Sequence, residues 1–277
     1  MSHWKRIEQL ERLHYPFDSG EGLTSNQHQW LAETHGSLEV MQTLIRLRQK
    51  ATQKPYVLAP IGHLMASQAL GAHVKYVATG GAYVTRWEAQ ADLDLTQIVP
   101  LIEWLNQLDE PVGFNDTGLW TIWESLIGLR ELLTVLKRDA TVPLQAFKQL
   151  YQQWTKLLQA ELKLKRGMII LGDPIGIPEI IGDAFYREYV MPWQWEWLCE
   201  WLTYVRCTSG VVYVNPLMAD GLIRYRKTDY RVIHHRCSND RFTDQVLLNP
   251  MYQGAVVTRL LDGSAVELLV TEKEYCN

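Results

Sequence analysis

The sequence is poor in several features that mark particular classes of protein. It has four cysteines in 277 residues, which is too few for a disulfide-rich scaffold. No stretch approaches about 18 uninterrupted apolar residues, so we expect no membrane span. The first residues, "MSHWKRIEQLERLHY", are charged and lack the apolar core of a secretory signal. We therefore expect a cytoplasmic protein with reduced thiols.

An excess of positive charge is also absent. The chain has 27 lysines and arginines against 31 aspartates and glutamates, and its formal net charge is -4. Nothing in this balance suggests binding to nucleic acid or to a membrane surface. A small molecule or another protein is the expected partner. Hydrophobic residues make up 47% of the chain, enough for a large core.

Strand-length apolar runs alternate with amphipathic helical runs along most of the chain. About eight runs read as strands. They are "YVLAP", "HVKYVAT", "PVGFND", "GMIIL", "GVVYVN", "RVIHH", "GAVVTRLL" and "AVELLVT". The length and this alternation predict an α/β fold, a TIM-type (β/α)8 barrel with short or irregular C-terminal elements. We expect one domain over residues 1–277, with an N-terminal helical extension over about residues 1–50.

Helical periodicity is clearest in four segments. A helix is expected over Asn26–Lys50, with Leu38, Met41 and Ile45 on one face. The other three segments read as single helices: "LWTIWESLIGLRELLTVLKRD", "TVPLQAFKQLYQQWTKLLQAELKLK" with Pro143 in its first turn, and "DAFYREYVMPWQWEWLCEWLTYV".

Polar residues follow several of the predicted strands. Asn115 ends "PVGFN", Asp173 follows "MIILG" and Asn215 follows "VVYV". Ligands of parallel α/β folds bind at the carboxyl ends of strands, so these residues could ring one pocket. Asn115 and Asn215 are candidate substrate-binding residues. Asp173 is a candidate general base, and capping of the following loop or helix is the equal alternative.

The segment "VIHHRCSND" places His235 and Cys237 two residues apart. In an extended segment, residues two apart face the same way, so both could bind one zinc ion. A catalytic zinc needs a third protein ligand, and Cys276 is the candidate. A buried cysteine beside a hydrogen-bonded histidine is the alternative interpretation.

Eleven tryptophans are unusual, and they concentrate in "MPWQWEWLCEWL". Trp193, Trp197 and Trp201 share one helical face, and Trp195 lies on another. This pattern indicates core packing or a subunit interface, as in a homodimer, rather than a cofactor site.

The chain resembles the uroporphyrinogen decarboxylase superfamily over roughly residues 66–203, and in patches over residues 230–267. The run from "ALGAHVKYV" through "GMIILGDPIG" to "FYREYVMPW" follows that family's order of features over roughly residues 66–203. "VIHHRCSND" resembles its H-x-C-G-N segment, with Ser238 in place of the glycine. "GAVVTRLLDGSAVE" resembles a later segment, and "YVRCTSGVVYVNPLMADGLIRYRKTD" looks like extra sequence.

The resemblance implies an eight-stranded α/β barrel and one of two activities. One branch of the family decarboxylates uroporphyrinogen without a cofactor and carries an arginine-rich N-terminal segment. Here the corresponding loop is "YPFDSGEGLTS", which is acidic. The other branch moves a methyl group between a corrinoid and a thiol, using zinc held by an H-x-C pair and a later cysteine. His235, Cys237 and Cys276 match that pattern better.

The resemblance therefore favours a zinc-dependent methyltransferase whose partner is a corrinoid protein or a small-molecule thiol. Two alternatives remain open. One is a cofactor-free decarboxylase or other lyase on the same barrel, and the other is a non-catalytic binding protein.

Overall fold

The computed structural model describes most of the chain. The chain divides into two compact units. The described residues are 37–52, 56–60, 62–77, 81–88, 92–138, 141–161, 163, 167–206, 211–225, 230–235, 256–259 and 265–270. One unit is Gly22–Leu164, and the other is Met1–Glu21 together with Lys165–Asn277. Both combine helices with strands, which confirms the α/β class. The single barrel domain over residues 1–277, with its helical extension over residues 1–50, stays a prediction.

The unit Gly22–Leu164 contributes six helices and four strands to the described residues. The helices are α1 Leu38–Thr52, α2 Gly62–Ala69, α3 Ile98–Leu105, α4 Leu119–Ile127, α5 Leu129–Arg138 and α6 Thr141–Glu161. The strands are β1 Val57–Pro60, β2 Ala72–Val77, β3 Gly81–Trp87 and β4 Val112–Thr117. Met41 and Ile45 of α1 are buried, as their shared helical face predicts.

Strands of this unit pair in two ways. β1 runs parallel to β4, with Val57 opposite Val112 and Pro60 opposite Asn115. β2 and β3 form a separate antiparallel hairpin. The sequence predicts β2 but not β3, because the glycines before "AYVTRW" read as the end of a strand.

The long helix expected over residues 119–139 is wrong, because the chain breaks at Gly128. That residue has φ 85° and ψ 141°, a backbone region that essentially only glycine adopts. Helix α4 ends before it and α5 begins after it. The expected helix beginning at Thr141 is confirmed, with Pro143 in its first turn.

The unit that contains Lys165–Asn277 has five strands among its described residues. These are β5 Gly167–Gly172, β6 Val211–Val214, β7 Tyr230–His235, β8 Val256–Arg259 and β9 Ala265–Val270. Its helices are α7 Pro178–Ile181, α8 Asp183–Phe185, α9 Met191–Arg206 and α10 Pro216–Tyr225, and a π-helical turn over Tyr186–Val190 joins α8 to α9. Helix α10 lies within "YVRCTSGVVYVNPLMADGLIRYRKTD", the stretch that looks like extra sequence relative to the uroporphyrinogen decarboxylase superfamily.

Parallel and antiparallel pairing both occur among the strands of this unit. β5, β6 and β8 are parallel neighbours, whereas β9 runs antiparallel to both β8 and β7. Met168 to Leu171 and Val211 to Val214 are all buried, as expected for strands covered on both faces. The antiparallel strand β9 departs from the all-parallel order of a TIM barrel. This departure falls in the C-terminal elements, where the sequence predicts irregularity.

Two of the tryptophans in α9 belong to the core. Trp195 is 5% exposed and Trp197 is 2% exposed. Trp193 is half-buried, and the side chain of Trp201 lies outside the described residues. The packing interpretation therefore accounts for Trp195 and Trp197, and a homodimer stays a prediction. None of the helices in the described parts of the chain is long and apolar enough to cross a membrane.

Candidate active site

In the unit that contains Lys165–Asn277, the carboxyl ends of four strands lie at one edge of the sheet. Because β9 reverses direction between β8 and β7, β7 points the same way as β8, β6 and β5. The register aligns one residue from each strand in a row across the sheet. That row is Leu171, Val214, Thr258, Val266 and His234. Residues that follow the row on the four like-directed strands therefore lie on the edge where α/β folds bind ligands.

Asp173 lies at this edge, directly after β5, and is only 2% exposed. Its Oδ2 accepts a hydrogen bond of 3.1 Å from Nε2 of Gln194, which lies in α9. The same Nε2 donates to the carbonyl oxygen of Gly176 at 2.8 Å. Both protons of the Gln194 amide are therefore used, and this fixes which oxygen of Asp173 faces the helix.

Tyr186 completes the network from the π-helical turn. Its hydroxyl donates to Oε1 of Gln194 at 3.0 Å, and the side chain is fully buried. Burial raises the pKa of Tyr186 above its usual range, and the negative charges of Asp173 and Glu179 add to the rise. The hydroxyl thus stays protonated and holds the Gln194 amide with its nitrogen toward Asp173. Single π-helical turns are frequent at functional sites.

Two glycines make room for this network. A Cβ atom on Gly176 would lie 2.5 Å from Oδ2 of Asp173 and 2.7 Å from Nε2 of Gln194. A Cβ atom on Gly221 of α10 would lie 2.9 Å from the hydroxyl oxygen of Tyr186. The Gly176 amide also donates to the Asp173 carbonyl oxygen at 2.9 Å, which closes the turn after β5. Gly176, the second glycine of "GDPIG", is therefore needed because a side chain there would collide with Asp173 and Gln194.

Asn215 follows β6 and is 6% exposed. Its Oδ1 accepts the Leu217 amide at 2.9 Å, so the side chain caps the start of α10. The Asn215 amide donates to the Leu171 carbonyl oxygen at 2.8 Å, which extends the β5–β6 pairing by one residue. Asp173 and Asn215 therefore follow neighbouring parallel strands. Asn215 serves as a helix cap, and its role in substrate binding stays a prediction.

Asn115 belongs to the unit Gly22–Leu164, where it is half-buried in β4 opposite Pro60. Its predicted contact with a substrate stays a prediction.

The three predicted zinc ligands are only partly within the described residues. His235 is the last residue of β7, opposite Ala265 of β9, and so lies at the shared carboxyl edge. Cys237 and Cys276 lie outside the described residues. Where the structure is described, no three His, Cys, Asp or Glu side chains form a group that could hold a metal ion. The zinc site stays a prediction, and the position of His235 fits it.

The sequence did not identify Gln194 or Tyr186 as site residues. Gln194 occupies a buried position of α9, three residues after Met191 and four before Leu198, where the helical period calls for an apolar side chain. A polar residue at such a position needs a buried partner. A glutamine at an apolar position of the helix could therefore have identified Gln194 from the sequence. The neighbouring tryptophans instead suggest ordinary core packing.

Comparisons with known proteins identify similar solved structures but no sequence family. No protein-family model and no curated protein matches the chain. Among solved structures, the chain is similar to a methyltransferase from Methanosarcina mazei, with a TM-score of 0.56 and 13% sequence identity. The match covers 70% of this chain and 62% of that one, so the chain spans less than two thirds of its neighbour's length. At this identity the likeness shows a shared fold, and membership of the uroporphyrinogen decarboxylase superfamily stays a prediction.

Proposed function

We propose that this protein is a zinc-dependent methyltransferase that moves a methyl group between a corrinoid and a thiol. The observation that carries the proposal is the direction of β7, which places His235 at the edge that also holds Asp173 and Asn215. The fold shared with a methyltransferase supports it. A TIM-type barrel of the uroporphyrinogen decarboxylase superfamily is the architecture we propose with it.

His235, Cys237 and Cys276 would hold the zinc. Bound there, zinc supplies the charge that keeps a substrate thiol deprotonated at neutral pH. Asp173 is the candidate general base for the thiol proton, and Gln194 holds its Oδ2 by a hydrogen bond. The burial of Asp173 and Gln194 excludes water from their contact.

The spacing of the strands sets the size of ligand that this edge can hold. From β5 to β7 the path crosses four strand spacings, about 19 Å along the sheet. Asp173 can take the proton of a thiol held beside His235 only if the sheet curves and brings the two strand ends together, as in the proposed barrel. The methyl donor would arrive on a partner corrinoid protein.

Zinc content is the direct test. We expect about one zinc per chain in the purified, reduced protein, measured by elemental analysis. His235→Ala and Cys237→Ser should each lose it. His234→Ala and Cys199→Ser are the matched controls, because they remove the same residue types outside the H-x-C pair, and both should keep the zinc.

Methyl transfer is then measured with free methylcobalamin and a small thiol, by following the loss of the cobalt–methyl absorbance. The zinc-loaded protein should catalyse the transfer, and the two zinc-free variants should not. No zinc after reconstitution would reject this mechanism and favour a metal-free lyase. Zinc without methyl transfer would reject the corrinoid–thiol reaction and leave a metal-binding protein.

A further inference from the structure

Two carboxyl groups are buried together in the unit Gly22–Leu164, outside the proposed methyl-transfer site. Asp116 of β4 is 2% exposed, and Glu161, the last residue of α6, is 0% exposed. Oδ1 of Asp116 accepts the Thr117 amide at 2.7 Å. No donor among the described residues contacts Oδ2 of Asp116 or either carboxyl oxygen of Glu161. Among the described residues, these three buried oxygens thus find none of the hydrogen bonds that ionised carboxylates need.

The packing of α6 on β4 brings the two carboxyl groups together. Trp154 and Glu161 are seven residues apart and lie on the same buried face of α6. Nε1 of Trp154 donates to the Thr117 carbonyl oxygen at 3.2 Å. The Asp116 and Glu161 carboxyls are close enough for each to act on the pKa of the other. Two adjacent residues at the end of β4 therefore contact the same helix.

Electrostatics does not allow both groups to be ionised at neutral pH. Burial is the largest cause that raises the pKa of each, to about 7 for Asp116 and well above its usual range for Glu161. The charge of Asp116 raises the pKa of Glu161 further. The carbonyl end of α6 also carries a partial negative charge, which disfavours a carboxylate there.

Few other groups act on the pair. From β4 the Thr117 amide favours the ionised form of Asp116, and among the described residues of α6 the group that acts on Asp116 is Glu161. No lysine, arginine or histidine of the described ranges is among the causes. Lys163, two residues beyond α6, is exposed to solvent. A proton shared between the two carboxyls gives two of these three oxygens a hydrogen bond and removes one of the two buried negative charges.

We infer that Asp116 and Glu161 share one proton and together form a pH-sensitive latch between β4 and the end of α6. While the proton is held, one carboxyl donates to the other and the helix end stays packed. When the proton leaves, two buried negative charges repel each other and weaken the contact. Asn115, a candidate substrate-binding residue, directly precedes Asp116, so the latch bears on the end of the strand that carries it.

The direction of the pH effect follows from proton binding. In the unfolded chain, aspartate and glutamate release their protons near pH 4. The folded pair keeps its shared proton to about pH 7 or above. Between these values the folded state binds more protons, so the free energy of unfolding falls as the pH rises. The stabilisation is complete below about pH 4 and is lost as the pH rises through the folded pKa values.

Infrared spectroscopy in D2O at neutral pH tests the inference, because carboxyls of ordinary pKa are then ionised. The wild-type chain should show the band of a protonated carboxyl, and Glu161→Gln should lose it. Glu131→Gln, on an exposed position of α5, is the matched control and should keep the band. Absence of the band from the wild-type chain would overturn the inference without reference to any variant.

Thermal unfolding supplies the second readout. The Tm of the wild type should fall as the pH rises from about 5 to about 8, and this fall should be clearly smaller in Glu161→Gln. The glutamine amide still donates to Asp116 but has no proton to lose in this range. Asp116→Asn is the substitute if Glu161→Gln does not fold. A pH dependence equal to that of the wild type in either variant would contradict the latch.

Discussion

Gly176 and Asp173 lie so close that a Cβ atom on Gly176 would be 2.5 Å from Oδ2 of Asp173. Real Cβ contacts essentially never come this close, and the neighbouring atom belongs to a side chain that is itself fixed. The segment after β5 is therefore shaped around the carboxylate, and Gln194 closes it from the helix side.

Gly176→Ala should consequently break the bond between Gln194 and Asp173. We expect a loss of about 1–3 kcal/mol in the free energy of unfolding, the usual cost of overpacking a core. Gly172→Ala is the matched control, because its Cβ atom would meet nothing nearer than Asn215 Cβ at 3.9 Å. That variant should stay within about 0.5 kcal/mol of the wild type. Urea unfolding measures both, and equal losses would refute the close-contact explanation.

Asp173→Asn tests whether the carboxylate has a chemical role, on the assumption that the proposed methyl transfer is correct. The asparagine oxygen can still accept the bond from Gln194, so the Tm should change little. The rate constant for methyl transfer should fall by about 100-fold or more, as for the removal of a general base. Asp183→Asn, on an exposed position of α8, is the control and should leave the rate unchanged. A wild-type rate in Asp173→Asn would assign Asp173 to capping the loop after β5.

Much of the fold follows from the sequence where local pattern and tertiary packing agree. The runs "GMIIL" and "VVYV" are predicted as buried strands and form β5 and β6, because strands covered on both faces need continuous apolar residues. The break at Gly128 and strand β3 are not predicted, because at these positions the local sequence pattern differs from the structure that forms. A glycine inside a helical pattern is usually tolerated, and a hairpin strand exposed on one face gives a weak signal.

The candidate site is less predictable than the fold. Asp173 and Asn215 could be identified because polar residues that follow buried strands lie at the sheet edge. Gln194 lies in α9, 21 residues after Asp173, and Tyr186 lies in the π-helical turn before that helix. Only the fold brings them to Asp173, and no spacing rule links them to β5. The π-helical turn that precedes α9 sets which side chains of that helix face Asp173, and sequence periodicity does not reveal it.

The contact between Gly221 and Tyr186 offers a test by double-mutant cycle. Alanine in place of a helical glycine ordinarily stabilises by about 1 kcal/mol. Gly221→Ala should instead destabilise, because its Cβ atom would lie 2.9 Å from the Tyr186 hydroxyl oxygen and 3.1 Å from Pro178 Cδ. Tyr186→Phe alone should cost about 1–3 kcal/mol, since Oε1 of Gln194 loses its buried donor.

In the Tyr186→Phe background the nearest obstacle to the new methyl group is gone. The cost of Gly221→Ala should therefore fall by about 0.5 kcal/mol or more, a coupling typical of residues in direct contact. The four free energies of unfolding come from urea titrations of the wild type, the two single variants and the double variant. Simple additivity within about 0.3 kcal/mol would mean that the Tyr186 hydroxyl does not set the space at Gly221. A smaller cost of Gly221→Ala in the Tyr186→Phe background would instead show that the Tyr186 hydroxyl both orients Gln194 and requires a glycine at position 221.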